Sequence, residues 1–241
     1  MPIGRDRSLP IAHTGPPLRS TPMVAGDAEL MELVRAIVAD DNATAAALLT
    51  ATPALVRTQA ERGASREEAE AFYLTGIGHY LYAGDTALHI AAAGYRRVAV
   101  RLLVEMGADV SARNRRGAQP LHYAVDGAPG SPTWDPAAQG AVVGYLIEAG
   151  ADPNARDRSG VTPLHRAVRT RCAAAVGALL DGGADAHLAN ASGSTPMRLA
   201  KTTTGRGGSG LPGAKVQQAE IVRSCKPDDF AIRRPTPSGA S

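Results

Sequence analysis

The chain has 241 residues, a formal net charge of +3, and 23 arginines among its 26 basic residues. With 44% hydrophobic and 20% charged residues it is not a charge-dominated disordered chain, and no run approaches the about 18 apolar residues of a membrane span. Aromatic residues make up only 4%, which excludes a core built on large rings and favours short helices packed closely through small side chains.

Residues 1–23 carry Pro2, Pro10, Pro16 and Pro17 with no hydrophobic period. They read as a flexible tail without the apolar stretch of a secretory leader. From Asp27, the residues Leu30, Leu33, Val34 and Ile37 fall at helical spacing until Asp40-Asp41-Asn42 breaks the run. Ala45 to Leu49 reads as a second short helix ending near Pro53, and the pair at 27–57 is expected to cap a larger array. Residues 59–84 fit no repeat. Within them, Ser65-Arg66-Glu67-Glu68 offers an N-cap followed by acids, which predicts an inserted helix through about Leu74.

The rest of the chain keeps time. Thr86-Ala87-Leu88-His89, Gln119-Pro120-Leu121-His122, Thr162-Pro163-Leu164-His165 and Thr195-Pro196-Met197-Arg198 recur at intervals of 33, 43 and 33 residues. Gly107-Ala108-Asp109, Gly150-Ala151-Asp152 and Gly183-Ala184-Asp185 follow at matched offsets, with the apolar rows Val100/Leu103/Val104, Val143/Leu146/Ile147 and Val176/Leu179/Leu180 before them. Such a period means a stacked solenoid rather than a globule with one central site.

These motifs resemble the ankyrin repeat closely over 85–193 and weakly over 27–57 and 194–225. The resemblance implies an all-α fold with β-hairpin fingers, an ankyrin-repeat solenoid of four to five repeats including caps. Full repeats are expected at 85–117, 118–160 and 161–193, a closing repeat at 194–225 and a second tail at 226–241. The expected function is that of a non-enzymatic adaptor that binds another protein, as a cytoplasmic monomer.

His89, His122 and His165 invite a metal reading, but one imidazole per layer makes a ladder rather than a cluster converging on one ion. In ankyrin repeats this His ties backbone between neighbours, so no metal and no cofactor are expected. Thr162 and Thr195 suit the N-cap with Pro at the next position, and Asp109, Asp152 and Asp185 suit turns. Cys172 and Cys225 lack a C-x-x-C or C-x-x-H partner and read as structural thiols of a reducing compartment. Gly208 to Lys215 comes within one residue of a phosphate-binding loop, with Ala214 in place of the Lys and Val216 in place of the Ser or Thr. It lacks the preceding strand, and a flexible insertion is expected there.

Aligning the fingers on Gly84, Gly117, Gly160 and Gly193 puts Tyr80 and Tyr82, then Arg113, Arg115 and Arg116, then Arg156 and Arg158 at successive tips. Tyr and Arg are enriched in binding hot spots, although arginines at loop tips also read as merely solvated. By resemblance the adjoining concave helix face adds Ile90, Tyr123 and Arg166. A partner presenting carboxylates would suit the Arg forks. Between Thr86 and Asn190, eleven Arg face nine acids, so no uniform basic stripe of the nucleic-acid type is present. Two insertions separate paired helices, at 127–136 and 202–214. The first holds Trp134, which either folds back on the helix ends or forms a second binding lip. An accessory or inhibitory subunit using the same surface is the alternative function, and a small hydrolase or nucleotide-binding protein using the insertions is a third.

Overall fold

The computed structural model describes residues 25–127, 134–202 and 223. The tails at 1–23 and 226–241, Cys225, the glycine-rich run at 205–210, the near-match to a phosphate loop and residues 128–133 lie outside the described residues.

Helices come in pairs: α1 (Ala25–Val38) with α2 (Asn42–Ala51), α3 (Ala87–Ala93) with α4 (Arg97–Glu105), α5 (Pro120–Ala124) with α6 (Pro136–Glu148), and α7 (Pro163–Thr170) with α8 (Ala173–Asp181). A further helix, α9 (Pro196–Thr202), packs on α7. The inner row α1, α3, α5, α7, α9 stacks neighbour on neighbour, and the outer row α4, α6, α8 does the same. The alanines make this close approach feasible: Ala91, Ala92, Ala124, Ala167 and Ala175 are fully buried beside Leu88, Leu121 and Leu164 of the inner row and Leu103, Leu146 and Leu179 of the outer.

Local chemistry sets the ends. Asp41 caps α2 by accepting from the Thr44 N–H at 3.0 Å and the Thr44 hydroxyl at 2.6 Å, so this helix starts earlier than Ala45 and runs past Leu49. Asp135 accepts from the Ala137 and Ala138 N–H groups with Pro136 at the first helical position. The last two residues of the first insertion therefore open α6. Thr162 and Thr195 cap as expected, accepting from His165 N–H at 3.4 Å and Arg198 N–H at 3.1 Å.

Each of the three fingers after the first is a tight turn rather than a pair of strands. Asn114 N–H bonds Ala118 O and Gly117 N–H bonds Asn114 O; Asp157/Val161/Gly160 and Asn190/Ser194/Gly193 repeat the pattern. Gly84, Gly117, Gly160 and Gly193 all lie at φ between 71° and 85°, where a side chain is strained. A Cβ on Gly84 would also meet Asn114 Cα of the next finger at 2.8 Å. The fingers are tied in series: Arg115 N–H donates to Ala83 O, Arg158 N–H to Arg116 O and Ala191 N–H to Ser159 O, all at 2.9–3.0 Å.

The helix expected through Leu74 does not form. Ser65 Oγ accepts from the Glu67 and Glu68 N–H groups, but only a 3₁₀ turn at Glu70–Phe72 follows. The chain then makes an antiparallel hairpin, β1 (Tyr73–Leu74) with β2 (His79–Tyr80). Two signals outweigh the cap: Gly78 takes φ 63° in the turn, and Tyr73 packs on Tyr80 at 4.9 Å across the strands. Residues 59–64 pair back onto 81–86 through Ala60 with Asp85 and Ala64 with Leu81. Residues 59–86 are thus one elongated first finger, and its hairpin bends over the inner helices to bring Ile77 against Gly94 and Gly76 against Val38.

Candidate functional site

The histidines hold the stack together. Thr86 N–H donates to His89 Nδ1 at 3.1 Å while His89 Nε2 faces Ala118 O at 3.2 Å. His122 and His165 repeat this with Gln119 and Val161 O, and with Thr162 and Ser194 O. A nitrogen that accepts from a backbone N–H carries no proton, so the network assigns a neutral ring with the proton on Nε2. Burial is the main reason all three titrate below the ordinary histidine value, His122 at about 4. Asp109, Asp152 and Asp185 each accept from the N–H two residues on, closing turns. Cys172 is buried, and burial pushes its thiol up. Among the described residues no group of three His, Cys, Asp or Glu is placed to hold a metal, and no helix is long and apolar enough to cross a membrane.

The finger tips gather part of the expected strip. Tyr80 and Tyr82 lie 6.3 Å apart, and Tyr82 sits beneath Arg116 at 4.2 Å and Arg115 at 5.5 Å. Stacking of this kind holds a guanidinium in place while leaving its N–H groups free to bond. Arg115 also donates to Ala64 O, tying the second finger to the elongated first. Arg113 and Arg156, although exposed, donate to Arg156 O and Ala189 O, so each staples its finger to the next. Arg116 and Arg158 are exposed with no guanidinium hydrogen bond among the described residues. Ile90, expected on the contact face, is fully buried.

Two other expected contact residues lie beneath the surface. Tyr123 is 2% exposed, because its hydroxyl donates to Asp85 at 2.8 and 2.9 Å and receives Asn114 Nδ2 at 2.8 Å. Asp85 is fully buried and also accepts from Tyr82 N–H at 2.7 Å. Tyr123 therefore braces the turn that carries Tyr82. Arg166 is largely enclosed, donating to Asp126 at 2.9 Å and to Asp157 at 3.2 Å. Burial pushes the Asp126 carboxyl up, but the His79 hydrogen bond and the Arg166 guanidinium outweigh it and hold it below the usual range. His79, on the hairpin, faces Asp126 at 3.4 Å, packs on the Tyr123 ring at 4.7 Å and thereby latches the bent finger to the inner helices.

Sequence reasoning missed His79, Asp85, Asn114 and Asp126. Asn114 carried a signal: it aligns with Asp157 and Asn190, and each accepts from the N–H groups two and four residues on. His79 and Asp126 have no counterpart in other layers and carried none. Trp134 lies at the opposite end of the helices from the finger tips. It is half-buried against the core, and its N–H donates to Gln139 Oε1 at 3.0 Å.

Models of the ankyrin repeat match this chain at residues 42–131 (ankyrin repeats, three copies), 116–158 (ankyrin repeat) and 146–200 (ankyrin repeats, many copies). The chain belongs to the ankyrin-repeat family. Ankyrin repeats are protein–protein interaction modules, and this stack is one. The chain is also similar to NF-kappa-B inhibitor zeta, at 51% identity over 58 residues for the Bos taurus and Mus musculus proteins and 49% for the Homo sapiens protein. The match takes in 22% of this chain and spans 8% of the length of those relatives.

Proposed function

We propose that this ankyrin stack is a non-enzymatic adaptor, acting as a cytoplasmic monomer, that grips an acidic segment of another protein across its finger tips. The observation that carries this reading is the stack of Arg116 on Tyr82 beside Tyr80, with Arg158 on the next finger. Aromatic faces and pre-oriented guanidinium forks at exposed tips suit bidentate contact with carboxylates. Arg115, Arg113 and Arg156 add positive charge while holding the comb of fingers rigid, and buried Tyr123 and Arg166 support it from below. A second reading is that the chain inhibits the partner it binds. Its support is the likeness to proteins named as NF-kappa-B inhibitors, over 22% of this chain.

The test is quantitative capture from extract of the encoding organism with the wild-type chain and with Arg116→Glu/Arg158→Glu. These two side chains make no hydrogen bond among the described residues, so the double variant should keep its helical content and melting temperature. Proteins retained by the wild type should be lost from the variant. An unchanged set of captured proteins would refute the finger-tip surface. Adding a captured enzyme back with the pure chain separates the two readings, since only the inhibitory one lowers its turnover.

A further inference from the structure

Beneath the bent hairpin, at the ends of α3 and α7, lies a cavity of about 560 Å³, within the range of small-molecule sites. Ile77 of the hairpin, Tyr95, Arg96, Arg169 and Trp134 are among the residues that line it. The elongated first finger creates this space, and its fit depends on Gly94: a Cβ there would meet Ile77 Cγ2 at 2.6 Å.

Most polar groups of the lining are already paired within the chain. Asp126 Oδ2 is engaged by Arg166 at 2.9 Å and faces His79 at 3.4 Å, and Asp126 O accepts from the Tyr95 hydroxyl and from Gln139. The Trp134 N–H is satisfied by Gln139, and the Thr170 hydroxyl donates to Val125 O. Donors remain. Arg96 gives one terminal nitrogen to Val38 O at 2.7 Å, but its Nε is buried with no hydrogen-bond partner among the described residues. That nitrogen is closed off from the cavity as well, so what Arg96 offers there is its positive charge and its other terminal nitrogen, which has no hydrogen bond among the described residues. Arg169 is exposed at the end of α7, with no hydrogen bond of its guanidinium among the described residues.

We propose that this cavity binds a carboxylate carried on a flat apolar body. Arg169 supplies the forked donors that a carboxylate matches and Arg96 a second positive charge, and Trp134, Tyr95 and Ile77 supply apolar surface for a ring. The Asp126 side chain, a quarter exposed on the same lining, selects a single negative charge over a dianion such as phosphate. The ligand is either a free aromatic acid or an acidic side chain next to an aromatic one on a bound peptide. The inference does not depend on the finger-tip reading, because the cavity lies at the other end of the helices.

Trp134 is the sole tryptophan and lines the cavity, so its emission reports occupancy directly. The full chain is titrated with phenylacetate, phenylacetamide, inorganic phosphate and N-acetyl-glutamyl-phenylalanine amide. A saturable change is expected with phenylacetate or with the blocked dipeptide, and none with phenylacetamide or phosphate. Saturation by phenylacetate identifies a free acid, and saturation by the dipeptide alone identifies a peptide side chain. Arg169→Gln, at an exposed position that leaves far-UV circular dichroism unchanged, should weaken binding about tenfold through loss of one charge-assisted contact. Arg96→Gln should weaken it at least as much. An equal response to phenylacetamide, tighter binding of phosphate, no saturable response to either carboxylate, or an unchanged Kd in Arg169→Gln would each overturn the proposal.

Discussion

Asp85 shows how much this stack places on single buried polar groups. Its side chain has no access to water and accepts from Tyr123, Asn114 and the Tyr82 N–H. Tyr123→Phe keeps the ring packing and removes one donor to a buried acceptor. It should lower the unfolding free energy by about 2 kcal/mol in urea titrations, while a surface change such as Arg101→Gln stays within about 0.5 kcal/mol. The histidine ladder makes a second prediction, for pH. His122 titrates at about 4 when folded and near 6.5 when unfolded, so the unfolded chain binds the proton first. Its contribution is fully present above about pH 6.5, is lost as pH falls toward 4 and is constant below. That one group gives a slope approaching about 1.4 kcal/mol per pH unit within this window, and His89 and His165 act in the same direction. Equilibrium unfolding at closely spaced pH values between 7 and 4 measures it. A flat profile would mean that these rings are protonated in the folded stack.

At the scale of elements, what recurs was legible and what occurs once was not. The Thr-Pro-Leu-His starts, the apolar rows and the glycines at the finger ends fixed each other's roles because three copies had to obey one geometry. The hairpin at 73–80 had no second copy, and the Ser65 cap with its acids spoke for a helix. The deciding forces, Tyr73 against Tyr80 and Ile77 over Gly94, are contacts across the chain that no local pattern announces. The same limit applied to the surface strip. Register put the arginines on the finger turns, but it could not tell Arg113 and Arg156, which staple fingers, from Arg116 and Arg158, which do not. Trp134 gives this scale its own measurement. With its ring against the core and its N–H bonded to buried Gln139, its emission should be blue-shifted and protected from iodide in the free chain. Gln139→Leu, which leaves the indole N–H and the carbonyls of Ala124 and Asp126 without partners, should shift that emission to the red. Red, fully quenched emission from the wild type would place the indole in water instead.

For the whole molecule, stability is the sum of layers and the seams between them. Leu146 is fully buried in α6, in the middle of the outer row. Leu146→Ala should cost about 2–5 kcal/mol and, because it strikes a central layer, should split one unfolding transition into two as the ends lose their coupling. Urea unfolding followed by circular dichroism and by Trp134 emission tests this, the two probes separating only if the stack melts in parts. A loss below about 0.5 kcal/mol would mean that Leu146 does not belong to the shared core.

The seams themselves are reciprocal. At each one a histidine of the earlier layer reaches a carbonyl of the later layer, His89 to Ala118, His122 to Val161 and His165 to Ser194. A finger amide of the later layer donates back, Arg115 to Ala83, Arg158 to Arg116 and Ala191 to Ser159. In these bonds every acceptor is a main-chain oxygen, so this part of each seam recognises a layer's backbone, and side-chain bonds such as Tyr123 to Asp85 and Arg166 to Asp126 are added at particular seams. Duplicating or losing one whole layer therefore remakes every such bond, whereas an excision out of phase strands a donor on both sides of the cut. The ten additional residues of the second repeat follow α5 in sequence, their last two opening α6, so they interrupt neither the histidine start nor the finger of that repeat. Those backbone bonds would let an array lengthen or shorten by recombination in units of one layer, wherever no layer-specific pair such as Asp85 with Tyr123 is broken.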